Sequence, residues 1–319
     1  LDQPAGRLPD VTGQHLTEDS RQVGPGDFFL AVRGTAGDGH QFASQAVARG
    51  ATAVLAERDI PELDVPVVVV PDLRQRRGAL AARFYGDPSS SLFCVGVTGT
   101  NGKTSIAHYI ADLASRCGRP AGYMGTIGWG RVGALQPARL TTEDAVTTQR
   151  RLAELRDHGC RWAVLEVSSH ALAQGRVDAV RFDAAVFSNL SRDHLDYHDS
   201  AEDYGAAKAR LFHWPGLKRA VINTDDDFGR RLHGGLSPSV ATLTYGRVGS
   251  DVGWADLCFD AAGVSGRWQT CGGEHRLALP VHAEFSVANV AAALGALCGD
   301  GVTLPDFAAA AKQLGAVPG

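Results

Sequence analysis

Cys94-Val95-Gly96-Val97-Thr98-Gly99-Thr100-Asn101-Gly102-Lys103-Thr104-Ser105 holds an apolar run, a polar turn bracketed by glycines, and the start of a helical pattern. The apolar run suits a buried strand. Gly99 and Gly102 let backbone N–H groups approach a polyphosphate with no Cβ in the way. A helix beginning at Lys103 adds its positive end. Lys103 is placed to reach the β/γ phosphates as a mobile cation, and the Thr104 hydroxyl to complete a Mg²⁺ shell. The stretch departs from the general pattern G-x-x-x-x-G-K-[ST] at Val97, where a glycine is expected. The plainer reading of these residues is a strand-to-helix turn that merely needs glycines.

Working outward, residues 105–116 predict a helix with Ile106, Tyr109, Ile110 and Leu113 on one face and Gly118 past its end. Strand patterns follow at 162–167, 184–189, 220–223 and 240–244, and helical patterns at 146–157, 202–212 and 285–297. Strands alternating with helices predict an α/β fold, a mainly parallel sheet with helices on both faces, and ligands at the carboxyl ends of its strands. Upstream, 28–32, 53–56 and 67–70 read as strands and 41–49 as a helix stopped by Gly50. These form a small N-terminal α/β module. The polar, turn-rich stretch 86–91 directly precedes the phosphate-loop strand, so the domains are expected at 1–90 and 91–319.

Two strand ends carry chemistry. Glu166 closes the apolar run Trp162-Ala163-Val164-Leu165, where a carboxylate is costly unless it is paired or bound to a cation. It is therefore a metal-ligand candidate, set against a salt-bridged edge residue. Ser188 to His198 follows the next strand; His194 and His198 have zinc spacing on a helix, but no third ligand shows a matching spacing.

The 319 residues suit two domains at about 150 residues each, and 44% hydrophobic content is ample for full cores. A net charge of −4 with interspersed acids and bases argues against nucleic-acid and membrane-surface partners. No apolar run approaches the roughly 18 residues of a membrane span, and no signal core opens the chain, so a cytoplasmic location is expected. The six cysteines are scattered without a C-x-x-C pair and read as reduced core thiols. A start at Leu1, with the one methionine at Met124, reads as a piece of a longer chain.

T-G-T-N-G-K-T at 98–104, with Gly99 in place of the earlier glycine, resembles the ATP loop of the Mur ligases, the ADP-forming amide ligases of cell-wall synthesis. The resemblance extends along the chain. E-V-S-S-H-x-L from Glu166, N-L-x-x-D-H-L-D-Y-H from Asn189 and Y-x-x-A-K-x-x-L-F from Tyr204 match that family's motifs. I-N-x-D-D from Ile222 and the segment Ala283 to Asn289 are similar to two more. D-S-R-x-V-x-P-G-D from Asp19, followed by G-x-x-x-D-G, resembles the N-terminal domain of the member that adds the third residue of the peptidoglycan stem peptide.

The resemblance implies ATP contacts at Gly99, Thr100, Asn101, Gly102, Lys103, Thr104 and Ser105, with Asn289 on adenine. It implies Mg²⁺ at Thr104, Glu166 and His194, and a CO₂-carbamylated Lys208 supporting a second metal; Lys103, Lys208 and His194 are the implied catalytic set. Ser20, Thr35, Ala36 and Gly37 would hold the uridine end of UDP-MurNAc-L-Ala-D-Glu, and Thr141, Thr142, Ser168, Gln174 and Arg176 its muramoyl-peptide. Departures stand at Glu18 (often leucine), Leu140 (often asparagine), Glu143 (often proline), Ala283 (glycine) and Ser286 (asparagine). The implied reaction is an ATP-driven amide ligation through an acyl phosphate, with meso-diaminopimelate or lysine as the incoming amino acid. The deciding motif belongs to a third domain that is expected to lie beyond this chain, leaving it inactive alone. A folylpolyglutamate synthetase of the same superfamily is the first alternative, against which the D-S-R and P-G-D module counts. A P-loop switch without ligase activity is the second, against which Glu166, His194 and Lys208 count.

Overall fold

The computed structural model describes residues 13–34, 37–191, 200–247, 249–270, 272–298 and 300–317. The first part holds β1 (Leu16–Thr17), β2 (Phe28–Ala31), α1 (Ala43–Ala48), β3 (Ala53–Ala56), β4 (Val67–Val69) and α2 (Leu73–Phe84). Its strands pair in parallel in the order β1-β2-β3-β4. The helix expected at 41–49 is split: a 3₁₀ turn over Gly39–Phe42 leads into α1, and Gly50 at φ +106° ends it.

The rest runs β5 (Phe93–Thr98), α3 (Lys103–Arg116), β6 (Ala121–Gly125), β7 (Gly128–Gly130), α4 (Ala145–Asp157), β8 (Trp162–Glu166), α5 (Ser169–Ala173), β9 (Ala184–Phe187) and α6 (Ala201–Ala209). It continues through β10 (Arg219–Asn223), α7 (Asp227–Gly234), β11 (Ala241–Gly246), β12 (Val252–Asp260), β13 (Gly263–Thr270), β14 (Gly273–Leu279), α8 (Glu284–Leu297) and α9 (Leu304–Ala311). The strands form one sheet in the order β14-β13-β12-β11-β10-β9-β5-β8-β6-β7.

From β12 through β6 the neighbours are parallel, as the βα alternation requires. The sheet is thus mainly parallel, as expected, but its two ends depart from the pattern. β7 turns back antiparallel on β6, and β12, β13 and β14 form an antiparallel meander, so the sheet is mixed. The meander has a solvent face. In β13 Val264, Trp268 and Thr270 are buried while Ser265, Arg267 and Gln269 alternate outward, a pattern open to antiparallel strands.

Alternate strand residues feed two cores. Val95, Val97, Val164, Val186 and Val221 pack with α3, α8 and α9; Cys94, Ala163, Leu165, Ala185, Phe187 and Ile222 face α4 and α7. Both faces of the parallel region are thereby covered. Helix α3 buries more than one face: every residue from Ile106 to Ala114 is buried, because α8 and α9 close over the side away from the sheet. Among the cysteines, Cys94 and Cys160 are core thiols, Cys117 and Cys298 are half-buried and Cys258 is exposed on β12; Cys271 lies outside the described residues. Among the described residues no helix is long and apolar enough to cross a membrane.

Helix α2 joins the two sheets by packing on α4. Gly78 makes the close approach: a Cβ there would lie 3.3 Å from the Ala179 Cβ and 3.6 Å from the Ala145 Cβ.

Candidate functional site

The loop after β5 has the backbone that its glycines permit. Gly99 sits at φ +145° and Gly102 at φ +83°. A Cβ on Gly99 would collide with the Ser188 hydroxyl, and one on Gly102 would lie 2.8 Å from the Asn289 Oδ1. The loop after β9 clamps this turn: Thr100 N donates to Asn189 O (2.8 Å), Asn101 N to Asn189 Oδ1 (3.0 Å), and Ser191 N to Thr100 Oγ1 (3.0 Å). Asn289, on α8, is buried against the loop rather than standing as a helix-surface amide.

Two ammonium groups meet at one carbonyl. Lys103 Nζ donates to Gly99 O (2.9 Å) and Thr100 O (2.8 Å), and Lys208 Nζ, from α6, also donates to Gly99 O (2.9 Å). Lys208 is only 1% exposed and lies 4.3 Å from the Tyr204 ring centre. The Lys103 ammonium beside the N-terminus of a long helix favours a polyanion there.

Glu166 ends β8, one strand from the loop, and is 1% exposed. Its carboxylate receives neutral donors: Thr104 Oγ1 (2.9 Å), Thr126 N (2.9 Å), Thr126 Oγ1 (3.3 Å) and the Tyr123 hydroxyl. Burial and the adjacent carboxylate push the Tyr123 phenol well above its ordinary pKa, so it remains a donor. A buried carboxylate met by the phosphate-loop hydroxyl and by neutral donors fits a hard divalent cation. Thr104 and Glu166 are the described residues that could hold it. Among the described residues no cluster of three or more His, Cys, Asp or Glu is assembled; His194 lies outside them.

The expected muramoyl-peptide residues gather next to Glu166. Thr142 Oγ1 donates to Glu166 O (2.8 Å) and accepts from Ser168 N (3.1 Å), while Thr141 Oγ1 lies 3.0 Å from Thr126 Oγ1. Arg176 donates Nη1 to Thr142 O (2.9 Å) and Nε and Nη2 to Gln174 Oε1 (2.9 and 2.6 Å). Leu140 is exposed at this edge; Glu143 is buried, accepts from Arg139 N (3.1 Å) and faces Arg151 at 3.8 Å.

The expected uridine residues stand apart, in the first sheet's module. Ser20 is buried and donates to Gln45 Oε1 (2.8 Å), Gly37 is exposed, and Thr35 and Ala36 lie outside the described residues. Of Ser20's neighbours, Asp19 reaches across to Arg139 (2.8 Å), while Glu18 lies beside Arg77 of α2 within its own module (3.2 Å).

Sequence reasoning missed Tyr123, Thr126, Asn189 and Arg77. Asn189 begins a motif already singled out, whereas Tyr123 carries no motif: it becomes a Glu166 partner because β6 runs beside β8. The only local sign is the small residue Gly125, where a Cβ would collide with both the Glu166 carboxylate and the Tyr123 hydroxyl.

Family models agree with this geometry. Residues 97–297 match the Mur ligase middle domain, and residues 14–85 match the model described as Mur ligase family, catalytic domain. A Pseudomonas aeruginosa relative named UDP-N-acetylmuramoyl-L-alanyl-D-glutamate--2,6-diaminopimelate ligase is 46% identical over 311 residues, covering 96% of this chain and 64% of its own. A solved structure bearing the same ligase name is 36% identical with a TM-score of 0.82, over 97% of this chain and 64% of that one. A MurF from Acinetobacter baumannii, at 24% identity and TM-score 0.78 over 97% of this chain and 65% of that one, shares the fold. The chain spans 59% to 64% of the length of the curated relatives it matches. With the middle-domain model alone covering more than half of its residues, the chain belongs to the Mur ligase family.

Proposed function

We propose that this chain is the nucleotide- and acceptor-binding part of an ATP-dependent, ADP-forming ligase that adds diaminopimelate to UDP-MurNAc-L-Ala-D-Glu. The observation that carries the reading is the convergence of Lys103 and Lys208 on Gly99 O beside the Thr104–Glu166 pair. Diaminopimelate rather than lysine is favoured by the relatives' names. Residues 1–90 form the uridine-end domain and 91–319 the ATP domain.

An acceptor carboxylate approaching a γ-phosphate meets like-charge repulsion, so the site has to supply positive charge where charge builds up. Lys103 does so from the loop, and the N–H groups at the start of α3 add theirs. Bound at Thr104 and Glu166, Mg²⁺ would screen the phosphate oxygens and orient them. Thr142, Ser168 and Arg176 hold the muramoyl-peptide so that its carboxylate faces the phosphate. Attack of the carboxylate on the γ-phosphorus expels ADP and leaves an acyl phosphate; the amino group of diaminopimelate then displaces phosphate from it and loses a proton, giving the amide. No protein nucleophile is needed.

Lys208 acts as a carbamate, formed when its neutral amine adds to CO₂ and releases a proton; deep burial and the nearby loop keep it from bulk water. Activity in CO₂-depleted buffer should fall and return on adding bicarbonate, and unaltered turnover across that change would sink the carbamate. The function itself is tested on the full-length protein by coupled ADP release with UDP-MurNAc-L-Ala-D-Glu, ATP and Mg²⁺. ADP release should require diaminopimelate and respond weakly to lysine. Release that ignores the UDP-sugar would overturn the reading.

A further inference from the structure

Arg77 belongs to none of the expected contacts and Glu18 stands where the family often has leucine; the two sit where the two sheets meet. Arg77 is on α2, its side chain 11% exposed, and Glu18 follows β1, its side chain 16% exposed. The guanidinium donates on two sides and packs beside Glu18 on the third. Nε faces Glu18 Oε1 at 3.2 Å, Nη1 donates to Arg74 O at 2.9 Å, and Nη2 donates across the joint to Gln174 O at 3.1 Å. Gln174 caps the C-terminus of α5, and its side chain is the acceptor that orients Arg176; Arg176 in turn donates to Thr142 O.

We propose that Glu18 and Arg77 form a positioning pair for the acceptor pocket, Arg77 holding Gln174 and through it Arg176 in place from the neighbouring module. The proposal rests on the function argued above and adds to it a pair outside the residues that touch substrate. The planar fork matters. Arg77 presents donors in fixed directions, so with Nη1 on Arg74 O and the guanidinium held beside Glu18, Nη2 is aimed at one carbonyl, which a single flexible ammonium cannot reproduce. A donor lost here leaves the Gln174 carbonyl without that bond at the residue whose side chain carries the Arg176 guanidinium.

The test uses the full-length protein, with calorimetry for UDP-MurNAc-L-Ala-D-Glu and for MgATP, and steady-state kinetics beside it. Arg77→Met should raise the Kd and KM for the UDP-sugar about tenfold, the effect of one lost charge-assisted hydrogen bond. MgATP affinity and kcat at saturation should stay within about twofold. Arg77→Lys should recover part of the loss. Arg77→Met alone leaves Glu18 buried without its partner and risks misfolding; the double variant Glu18→Leu with Arg77→Met removes both polar ends and should fold while keeping the UDP-sugar defect. Unchanged UDP-sugar affinity in the double variant would overturn the pair, as would equal losses for UDP-sugar and ATP. No UDP-sugar binding by the wild-type protein would overturn the functional reading and the pair together, whereas wild-type binding that Arg77→Met leaves intact overturns the pair alone.

Discussion

Glu18 pays for its place at the joint: burial, with the Asp144 charge adding to it, raises its pKa from 4.5 to about 7 despite Arg77 and Arg176 nearby. Folding therefore favours its protonated form. Because the native state binds the proton more tightly than the unfolded chain, this contribution is fully present below pH 4.5 and is lost as pH rises through about 7. The loss amounts to about 3 kcal/mol. Urea unfolding at several pH values should show wild-type stability falling relative to Glu18→Gln across that window. Parallel curves for the two proteins would contradict the burial argument. Lys103 makes a second residue-scale prediction: Lys103→Ala removes a cation from the loop and should slow turnover roughly 10² to 10³-fold in the full-length enzyme. Near-normal turnover would undo the phosphate-loop assignment.

At the scale of elements, the site depends on how closely β6 and β8 run. Gly125 lies at the end of β6, where the Glu166 carboxylate and the Tyr123 hydroxyl fill the space a side chain would take. Gly125→Ala should displace that carboxylate and cost about 1 to 3 kcal/mol in stability, as overpacking does. Weaker Mn²⁺ binding in the presence of ATP, read by electron paramagnetic resonance, should accompany it; unchanged Mn²⁺ affinity would mean that Glu166 does not hold the metal. Other elements were legible to different degrees. The strands β5, β8, β9 and β10 are short apolar runs between turn signals, and the structure shifts their ends by a residue or two. Helix α2 escaped notice because it buries Leu73, Gly78, Ala81 and Ala82, mostly small residues, and displays arginines elsewhere. The β12–β14 meander was hidden by glycines and polar residues inside a period-2 pattern, most clearly in β13.

Across the whole molecule, the two sheets are tied by side chains that cross the joint. Besides Arg77 on Gln174, Arg139 pairs with Asp19, and Arg156 donates to Tyr85 O (3.1 Å) and Gly86 O (3.3 Å). The module around Ser20 and the loop at Gly99–Gly102 are thus separate places on one scaffold. Ser20→Ala leaves Gln45 Oε1 without its donor and should weaken UDP-sugar binding by about 1 to 3 kcal/mol, with MgATP affinity intact. Calorimetry with each ligand decides it: equal weakening of both would mark a folding defect.

The strand–turn–helix around Gly99 and Gly102 was readable from twelve consecutive residues because its requirements are local: a strand, glycines at positive φ, and a helix start placed by neighbouring backbone. Glu166 was readable for a similar reason, as a carboxylate at the end of an apolar run. Contacts that join distant positions were left to the tertiary structure. Lys208 reaches Gly99 O across 109 residues and Arg77 reaches Gln174 O across 97. Tyr123 and Thr126 meet Glu166 because β5 lies between β9 and β8, with β6 on the far side of β8. Strand order is set by which helices cover which face, and that packing is a property of the whole chain; no stretch of sequence carries it alone.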